Sequence, residues 1–277
     1  MKTTLYSAIV LLLTLASCTR ENGLIKDGNP SKDTTTTTPP ADSTYTGAVT
    51  NNYQPDSSGS TWTYQVRQVF NFSQSTIGQL YPQDASLFGA FDVDTTIVYH
   101  IAALGLTNKV GTLTYKDYSN DYGGGIFNPK IAQSGSAYVG VDEVWELVWP
   151  GGSFGGFSLN DDTLTYLKDQ PVGTSWKDTT IVRDAYGSLD TTVYAFSVKA
   201  AGVTRAVNGI NYPNVIQIES TSLPSALTSY AVLLSGVNLT TTTEYYYAKN
   251  VGLIEEDLSA YFFGISVTAI LLHSNIR

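Results

Sequence analysis

The sequence is poor in cysteine, histidine and charge, and each shortage argues against a class of protein. Cys18 is the one cysteine, so an internal disulfide is impossible and packing must stabilise the fold. Two histidines and no cysteine pair leave little material for a zinc site. No P-loop, Gly-x-Gly-x-x-Gly, His-Glu-x-x-His or Cys-x-x-Cys motif is present. We therefore predict neither a metal site nor a cofactor.

Charged residues make up only 14% of the chain, against roughly 25% in an average domain. Acidic residues outnumber basic ones by 24 to 15, which gives a net charge of −9. An acidic chain without a basic run is a poor candidate for binding nucleic acid. The apolar runs at residues 5–15 and 262–272 are both shorter than the roughly 20 residues of a membrane-spanning helix.

The first stretch that is informative in itself is residues 1–18. It has Lys2 near its start, an apolar run, and Leu-Ala-Ser-Cys at positions 15–18. This order is typical of a secretory signal peptide. Leu-Ala-Ser-Cys resembles the lipobox of bacterial lipoproteins, which implies a lipid on the Cys18 thiol, cleavage before Cys18 and acylation of the new amino group. The alternative is an ordinary signal peptide with an unrelated cysteine.

Residues 19–55 contain few large apolar side chains and many Thr, Ser, Pro and Asp residues. Such a segment cannot bury enough apolar surface to offset the entropy of ordering it. We predict a signal peptide at 1–17, a lipidated cysteine and disordered tether at 18–55, and a folded domain at 56–277. Coil scaling gives the tether a reach of roughly 35 Å. Asp-Thr and Asp-Ser pairs that include Thr34 and Ser43 resemble the O-glycosylation acceptors of exported Bacteroidota proteins.

The residue after the cysteine, Thr19, bears on location. In enteric bacteria an Asp at this place resembles an inner-membrane retention signal, and its absence here implies the outer membrane. In Bacteroidota, acidic residues just after the cysteine resemble a surface-export signal. Thr-Arg-Glu-Asn at positions 19–22 offers a single acid. Periplasmic and surface exposure therefore both stay open.

From Trp62 onward the apolar pattern has a period of two, with β-branched and aromatic residues between Gly, Pro, Asn and Asp. This predicts a single antiparallel all-β domain, either a curved sheet (half-barrel) or a sandwich, with at most one or two short helices. The helices are expected near residues 84–91 and from Ser222, where Pro224 precedes a helical stripe. A membrane β-barrel is a weaker alternative.

Three groups of residues occur together in one kind of protein. They are Gly-Ser-Thr-Trp-Thr-Tyr at 59–64, Gly-Thr-Ser-Trp at 173–176, and the stretch from Tyr245 to Ile254. The combination resembles a broad group of uncharacterised lipoproteins from Bacteroidota and other bacteria. The resemblance implies a curved antiparallel sheet and supplies no catalytic residues. Gly252 would allow a strand to bend.

Candidate chemistry is sparse. Gly-Gly-Ser-Phe-Gly around Ser153 matches the Gly-x-Ser-x-Gly motif of serine nucleophiles. That motif requires a helix directly after the serine, whereas the sequence here predicts loop and strand. Acidic residues at 142–143, 161–162 and 255–257 could serve glycoside hydrolysis or bind Ca²⁺. Neighbours on a strand point to opposite faces, so solvated turn charges are the simpler interpretation. We predict no catalytic residues.

The chain holds 19 Tyr, 10 Phe and 4 Trp, and these rings are the best candidates for a binding face. Tyr245, Tyr246 and Tyr247 are consecutive, so at least one should point away from the core. Trp145 and Trp149 complete the candidate ligand-binding set, although core packing is the favoured interpretation of the tryptophans. The sequence predicts a membrane-anchored envelope lipoprotein that binds an envelope glycan, lipid or protein without catalysis. The alternatives are a lipid carrier with an open half-barrel and a carboxylate-dependent hydrolase.

Overall fold

The computed structural model describes residues 52–80, 92–110, 113–120, 130–143, 158–183, 189–224 and 239–277. These residues form twelve β-strands and little else. The strands are β1 (Thr61–Phe70), β2 (Val93–Val110), β3 (Leu113–Asn120), β4 (Lys130–Ser134), β5 (Ala137–Glu143), β6 (Ser158–Lys168), β7 (Ser175–Arg183), β8 (Leu189–Val207), β9 (Ile210–Pro224), β10 (Thr241–Ala248), β11 (Gly252–Ala260) and β12 (Ile265–Asn275). One short helix, α1 (Thr76–Leu80), and two single 3₁₀ turns, Phe72–Gln74 and Tyr261–Phe263, accompany them.

All twelve strands belong to a single sheet in the order β6-β5-β4-β3-β2-β1-β12-β11-β10-β9-β8-β7. Every neighbouring pair is antiparallel, and the first strand pairs with the last, with Val66 opposite Ala269. The prediction of an all-β antiparallel domain is confirmed. Of the two forms left open, the structure has the curved sheet, because one continuous sheet carries every described strand.

The sheet curls until its two edge strands, β6 and β7, face each other. Side chains bridge this seam in place of a backbone ladder. The Trp176 indole N–H donates to the Thr165 carbonyl at 2.8 Å, and the Thr165 N–H donates to the Asp178 carboxylate at 2.8 Å. Both backbone groups of Thr165 are thereby satisfied, which protects an edge that could otherwise pair with another chain.

The inner face of the curled sheet holds one large core that draws on strands from all parts of the chain. Every second residue of a strand points to this inner face. In β1 the buried residues are Trp62, Tyr64, Val66 and Gln68. The largest side chains with less than 2% exposure fill the interior from many directions, and they are Trp62, Tyr64, Tyr118, Ile101, Leu164, Leu167, Ile216, Ile218, Ile254, Leu271 and Glu256. The described interior is therefore packed with side chains.

Two of the three sequence groups named above, residues 59–64 and 245–254, contact each other in the structure. The Trp62 indole N–H donates to the Val251 carbonyl at 2.6 Å, and the Tyr64 hydroxyl donates to the Leu253 carbonyl at 2.9 Å. Gly252 lies between these acceptors with φ +104, and a Cβ there would approach the Trp62 indole nitrogen to 3.2 Å. Glycine is thus required both by the backbone conformation and by the close approach of the ring.

Two local predictions differ from the structure. Residues 222–224, expected to begin a helix, continue β9, and Pro224 is its last residue, a position where a missing N–H costs little. All three acidic groups expected as turn charges lie in strands instead: residues 142–143 in β5, 161–162 in β6 and 255–257 in β11. The helix expected at 84–91 lies outside the described residues. Among those described, no helix combines the length and apolar character needed to cross a membrane.

Candidate binding surfaces

We call the end of the sheet where β1 begins and β10 ends the mouth end. Residues 52–55, here called the lead-in segment, lie across it. Tyr53 and Gln54 are 3% and 2% exposed. The Tyr53 N–H donates to the Tyr138 hydroxyl at 3.0 Å, and the Tyr118 hydroxyl donates to the Pro55 carbonyl at 3.0 Å. Strands β3 and β5 therefore hold the lead-in segment by its backbone.

The turn between β10 and β11 holds the same segment from the other side. The Asn250 N–H donates to the Asn52 carbonyl at 2.6 Å, and the Asn52 N–H donates to the Asn250 side chain at 3.2 Å. The Lys249 ammonium lies 5.4 Å from the centre of the Tyr53 ring and 3.6 Å from the Asp169 carboxylate. Burial, together with Asp169 and Tyr138, raises the pKa of Tyr53 to about 12. The mouth end is therefore covered.

Part of the far end of the sheet, beside β1 and β12, is covered as well. Residues 71–80 return across it, and the Asn71 N–H donates to the Gly264 carbonyl at 2.8 Å. Phe262, in the 3₁₀ turn before β12, is buried there. Gly264 has φ +67, and a Cβ at this position would meet the Asn71 carbonyl oxygen at 2.3 Å. Among the described residues, the outside of the sheet therefore offers the candidate surfaces for a partner.

The three consecutive tyrosines of β10 are all buried, with 7%, 6% and 3% exposure for Tyr245, Tyr246 and Tyr247. Tyr245 and Tyr247 stack on the inner face with their ring centres 6.3 Å apart. The ring of Tyr166 lies 6.1 Å from that of Tyr247. Tyr246 points to the outer face, as the consecutive spacing requires, but its ring is covered there.

Tyr246 is covered by an outer cluster that we name the Tyr246 cluster: Tyr246, Arg205, Glu255, Glu244 and Gln217. The Arg205 guanidinium lies 3.4 Å from the ring centre and also pairs with Glu255. The Tyr246 hydroxyl donates to Glu244, and the Gln217 amide donates to the Tyr246 hydroxyl at 3.1 Å. Burial, with the hydrogen bond to Glu244 as the next cause, raises the pKa of Tyr246. These contacts fix the ring in place.

A row of carboxylates crosses the outer face beside this cluster. Glu244 is directly opposite Glu219 on one neighbouring strand and Asp257 on the other. Opposed residues have Cβ atoms about 5 Å apart, so like charges there repel. Lys199 offsets part of this repulsion by pairing with Glu219 at 2.7 Å. Burial, reinforced by Glu255 and Glu244, raises the pKa of Asp257.

The expectation that residues 255–257 are solvated turn charges is therefore wrong. Glu255 and Asp257 lie on the outer face of β11, and Glu256 between them is 1% exposed on the inner face. Among the described residues, no group of three or more His, Cys, Asp and Glu side chains is arranged to hold a metal ion. The outer carboxylates offer hydrogen-bond acceptors and negative charge to a partner.

Several predicted residues lie outside the described ranges, namely Cys18, Thr34, Ser43, Trp145, Trp149 and Ser153. The residues that hold the lead-in segment and the Tyr246 cluster were not expected as functional groups. Arg205, Gln217 and Asn250 carry no local motif, and their contacts join strands far apart in sequence. The sequence would have predicted the carboxylate row only if β9, β10 and β11 had been paired in the correct register, which places Glu219, Glu244 and Asp257 side by side.

Neither a protein-family model nor a curated protein matches the chain. Two solved structures are similar to it. One, from Parabacteroides distasonis ATCC 8503, is described as a "putative lipoprotein"; it is 10% identical, with 80% of this chain and 98% of that chain covered and a TM-score of 0.47. The other, from Bacteroides fragilis NCTC 9343, is described as a "putative exported protein with YmcC-like fold"; it is 9% identical, with 80% and 97% covered and a TM-score of 0.36. Neither likeness identifies a function.

Proposed function

We propose that the protein is a lipid-anchored protein of the outer membrane whose β domain binds an envelope partner without catalysis. The anchor rests on Leu-Ala-Ser-Cys at the end of a signal-peptide pattern, with Cys18 as the lipidated residue. The polar stretch after it supplies a tether. The periplasmic and surface faces both remain open to this proposal.

The observation that carries the binding role is the interior of the sheet, which the described side chains fill. A carrier of lipid needs an apolar cavity, whereas here side chains such as Tyr64, Ile218 and Leu271 occupy the inside of the sheet. The outer face of β9, β10 and β11 instead presents Glu219, Glu244 and Asp257 in one row. We propose this outer face as the partner-binding surface.

Cross-linking in living cells tests this assignment. A photoreactive amino acid replaces Thr268, which is exposed on the outer face beside Asp257. A matched variant carries it at Lys177, which is exposed on the edge strand β7. We expect a cross-linked partner at residue 268 and none at residue 177. Equal adducts at both positions, or none at either, would contradict the assignment.

The anchor has its own test, which does not depend on the partner. Cys18→Ala should move the chain from the detergent phase to the aqueous phase and should remove the mass of the acyl groups. A Cys18→Ala chain that stays in the membrane fraction with unchanged mass would refute the anchor.

A carboxylate-dependent hydrolase is the second candidate, favoured by Glu244 and Asp257. They are opposed on adjacent strands, and the pKa of Asp257 is raised, as a general acid requires. Their place on the outside of the sheet, rather than in a cleft, ranks this candidate lower. Turnover of glycan substrates that is lost in both Glu244→Gln and Asp257→Asn would establish it and would overturn the proposal of binding without catalysis.

A further inference from the structure

The chain enters the folded domain at the mouth end, and this fixes which end is tied to the lipid. Asn52, the first residue of the lead-in segment, is hydrogen-bonded to Asn250 in the turn between β10 and β11. For the predicted tether between Cys18 and Asn52, coil scaling gives a reach of roughly 30 Å. Given the proposed anchor, on which this inference rests, the mouth end is the end that the tether brings to the membrane.

Two hairpins continue past the body of the sheet at the mouth end. β2 pairs with β1 as far as Ala102, which is opposite Thr61, and then runs on to Val110 with β3 as its partner, while residues 115–117 of β3 also pair with β4. β9 pairs with β10 only from Val215 onward, so its earlier residues pair with β8 alone. The connection between β6 and β7 is at the same end, where Asp169 approaches Lys249. Three separate loops therefore lie at the same end of the sheet as the lead-in segment.

Each of these loops exposes aliphatic side chains. Leu104 and Leu106 of the first hairpin are 39% and 56% exposed, and Val172 in the connection after β6 is 59% exposed. Val203 and Ile210 of the second hairpin are 42% and 40% exposed. The far end exposes Leu80, Val93 and Val193 to a similar degree, 45–47%, so exposure alone does not select an end. What distinguishes the mouth end is that its aliphatic tips lie where the tether enters the domain, and they lose contact with water when they meet an apolar phase.

The first hairpin at this end is more basic than the carboxylate row on the outer face. The first hairpin carries Lys109 and Lys116, and its single acid, Asp117, accepts a hydrogen bond from Asn108. The row of carboxylates at Glu244 is on the side of the sheet instead. Basic residues beside aliphatic tips match lipid, which presents phosphates above its acyl chains.

We infer that the mouth end rests on the bilayer that holds the anchor, with Leu106 and Ile210 entering the lipid interface. The domain then has a fixed orientation. The far end, with Tyr261 exposed, points away from the membrane, and the outer face of β9 to β11 stands roughly upright beside it.

Depth-sensitive fluorescence tests the orientation. The lipidated full-length chain is reconstituted into vesicles of phosphatidylethanolamine and phosphatidylglycerol at about 3:1. Leu106→Cys and Ile210→Cys variants each take an environment-sensitive NBD label, because the Cys18 thiol is occupied by lipid. Val93→Cys and Val193→Cys are the matched controls, since Val93 and Val193 are both 45% exposed near the far end of the sheet.

On vesicles we expect about a twofold rise in NBD emission at residues 106 and 210, with quenching by spin-labelled lipid and no change at the controls. Equal emission at both ends, in protein that floats with the vesicles, would overturn the orientation while leaving the anchor intact. Protein that fails to float, with Cys18 itself open to the label, would overturn the anchor and the orientation together.

A second pair of variants checks the contact without a label. Leu106→Asp and Ile210→Asp should increase proteolysis of the mouth-end hairpins on vesicles by about tenfold relative to unchanged protein. If vesicles did not slow proteolysis of these hairpins in the unsubstituted protein, the result would contradict the contact with the bilayer. Circular dichroism of each variant confirms that the fold is retained.

Discussion

The hydroxyl group of Tyr138 accepts the Tyr53 N–H and so holds the lead-in segment. Tyr138→Phe removes this oxygen and keeps the ring, so the packing around it is preserved. The Tyr53 N–H is then left in a buried position without its acceptor, since Tyr53 is 3% exposed. An unsatisfied buried donor costs about 1–3 kcal/mol.

Converted at 1.36 kcal/mol per factor of ten, this cost raises the opening equilibrium of the lead-in segment by roughly 5- to 150-fold. Hydrogen–deuterium exchange of peptides that cover residues 52–55 and 248–252 measures this opening directly. Because the segment is at the end of the sheet, we expect faster exchange there without a matching change in β6 or β7.

Tyr115→Phe is the control. Tyr115 is on the same strand as Tyr118 but packs in a separate small cluster with Ala132 and Val139. Removal of the Tyr115 hydroxyl should leave hydrogen–deuterium exchange at residues 52–55 unchanged. If Tyr138→Phe also left that exchange unchanged, the hydrogen bond would not hold the lead-in segment and the account of the mouth end would be refuted.

Three further predictions concern the sheet itself. Asp178→Ala removes the acceptor of the Thr165 N–H at the seam and should lower the unfolding free energy by about 1–2 kcal/mol in urea titration. Gly252→Ala should cost about 1–3 kcal/mol in the same assay, because alanine is strained at φ +104. Asp257→Asn should raise the melting temperature at pH 7, because a raised pKa means that ionisation costs the folded state stability. This gain should vanish below about pH 3.8, the ordinary pKa of an aspartate, because Asp257 is then protonated in both the folded and the unfolded state. A gain in melting temperature that persists below this pH would contradict the raised pKa of Asp257.

The strands were largely predictable, because a period of two survives in most of them. The period of two was expected from Trp62 onward, and β1 (Thr61–Phe70) begins there. β11 was missed since Glu255, Glu256 and Asp257 suggest a solvated turn. The signal that could have corrected this is the alternation around them, with Ile254, Glu256 and Leu258 all inward.

The closure of the sheet and the lead-in segment were not predictable from local pattern. β1 pairs with β12 across nearly the whole chain, and no short-range rule selects that partner. The lead-in segment is polar in composition and was assigned to the tether. Its burial depends on hydroxyl groups of Tyr118 and Tyr138, which become visible as partners only when β3 and β5 are placed.

The most direct test of the account is native mass spectrometry of the full-length chain extracted from its host membrane in mild detergent. The packed interior predicts a mass equal to the polypeptide from Cys18, its covalent acyl groups and any glycan, with no further lipid released on denaturation. A lipid that is bound non-covalently at one molecule per chain and released on unfolding would contradict the packed interior and would favour the carrier.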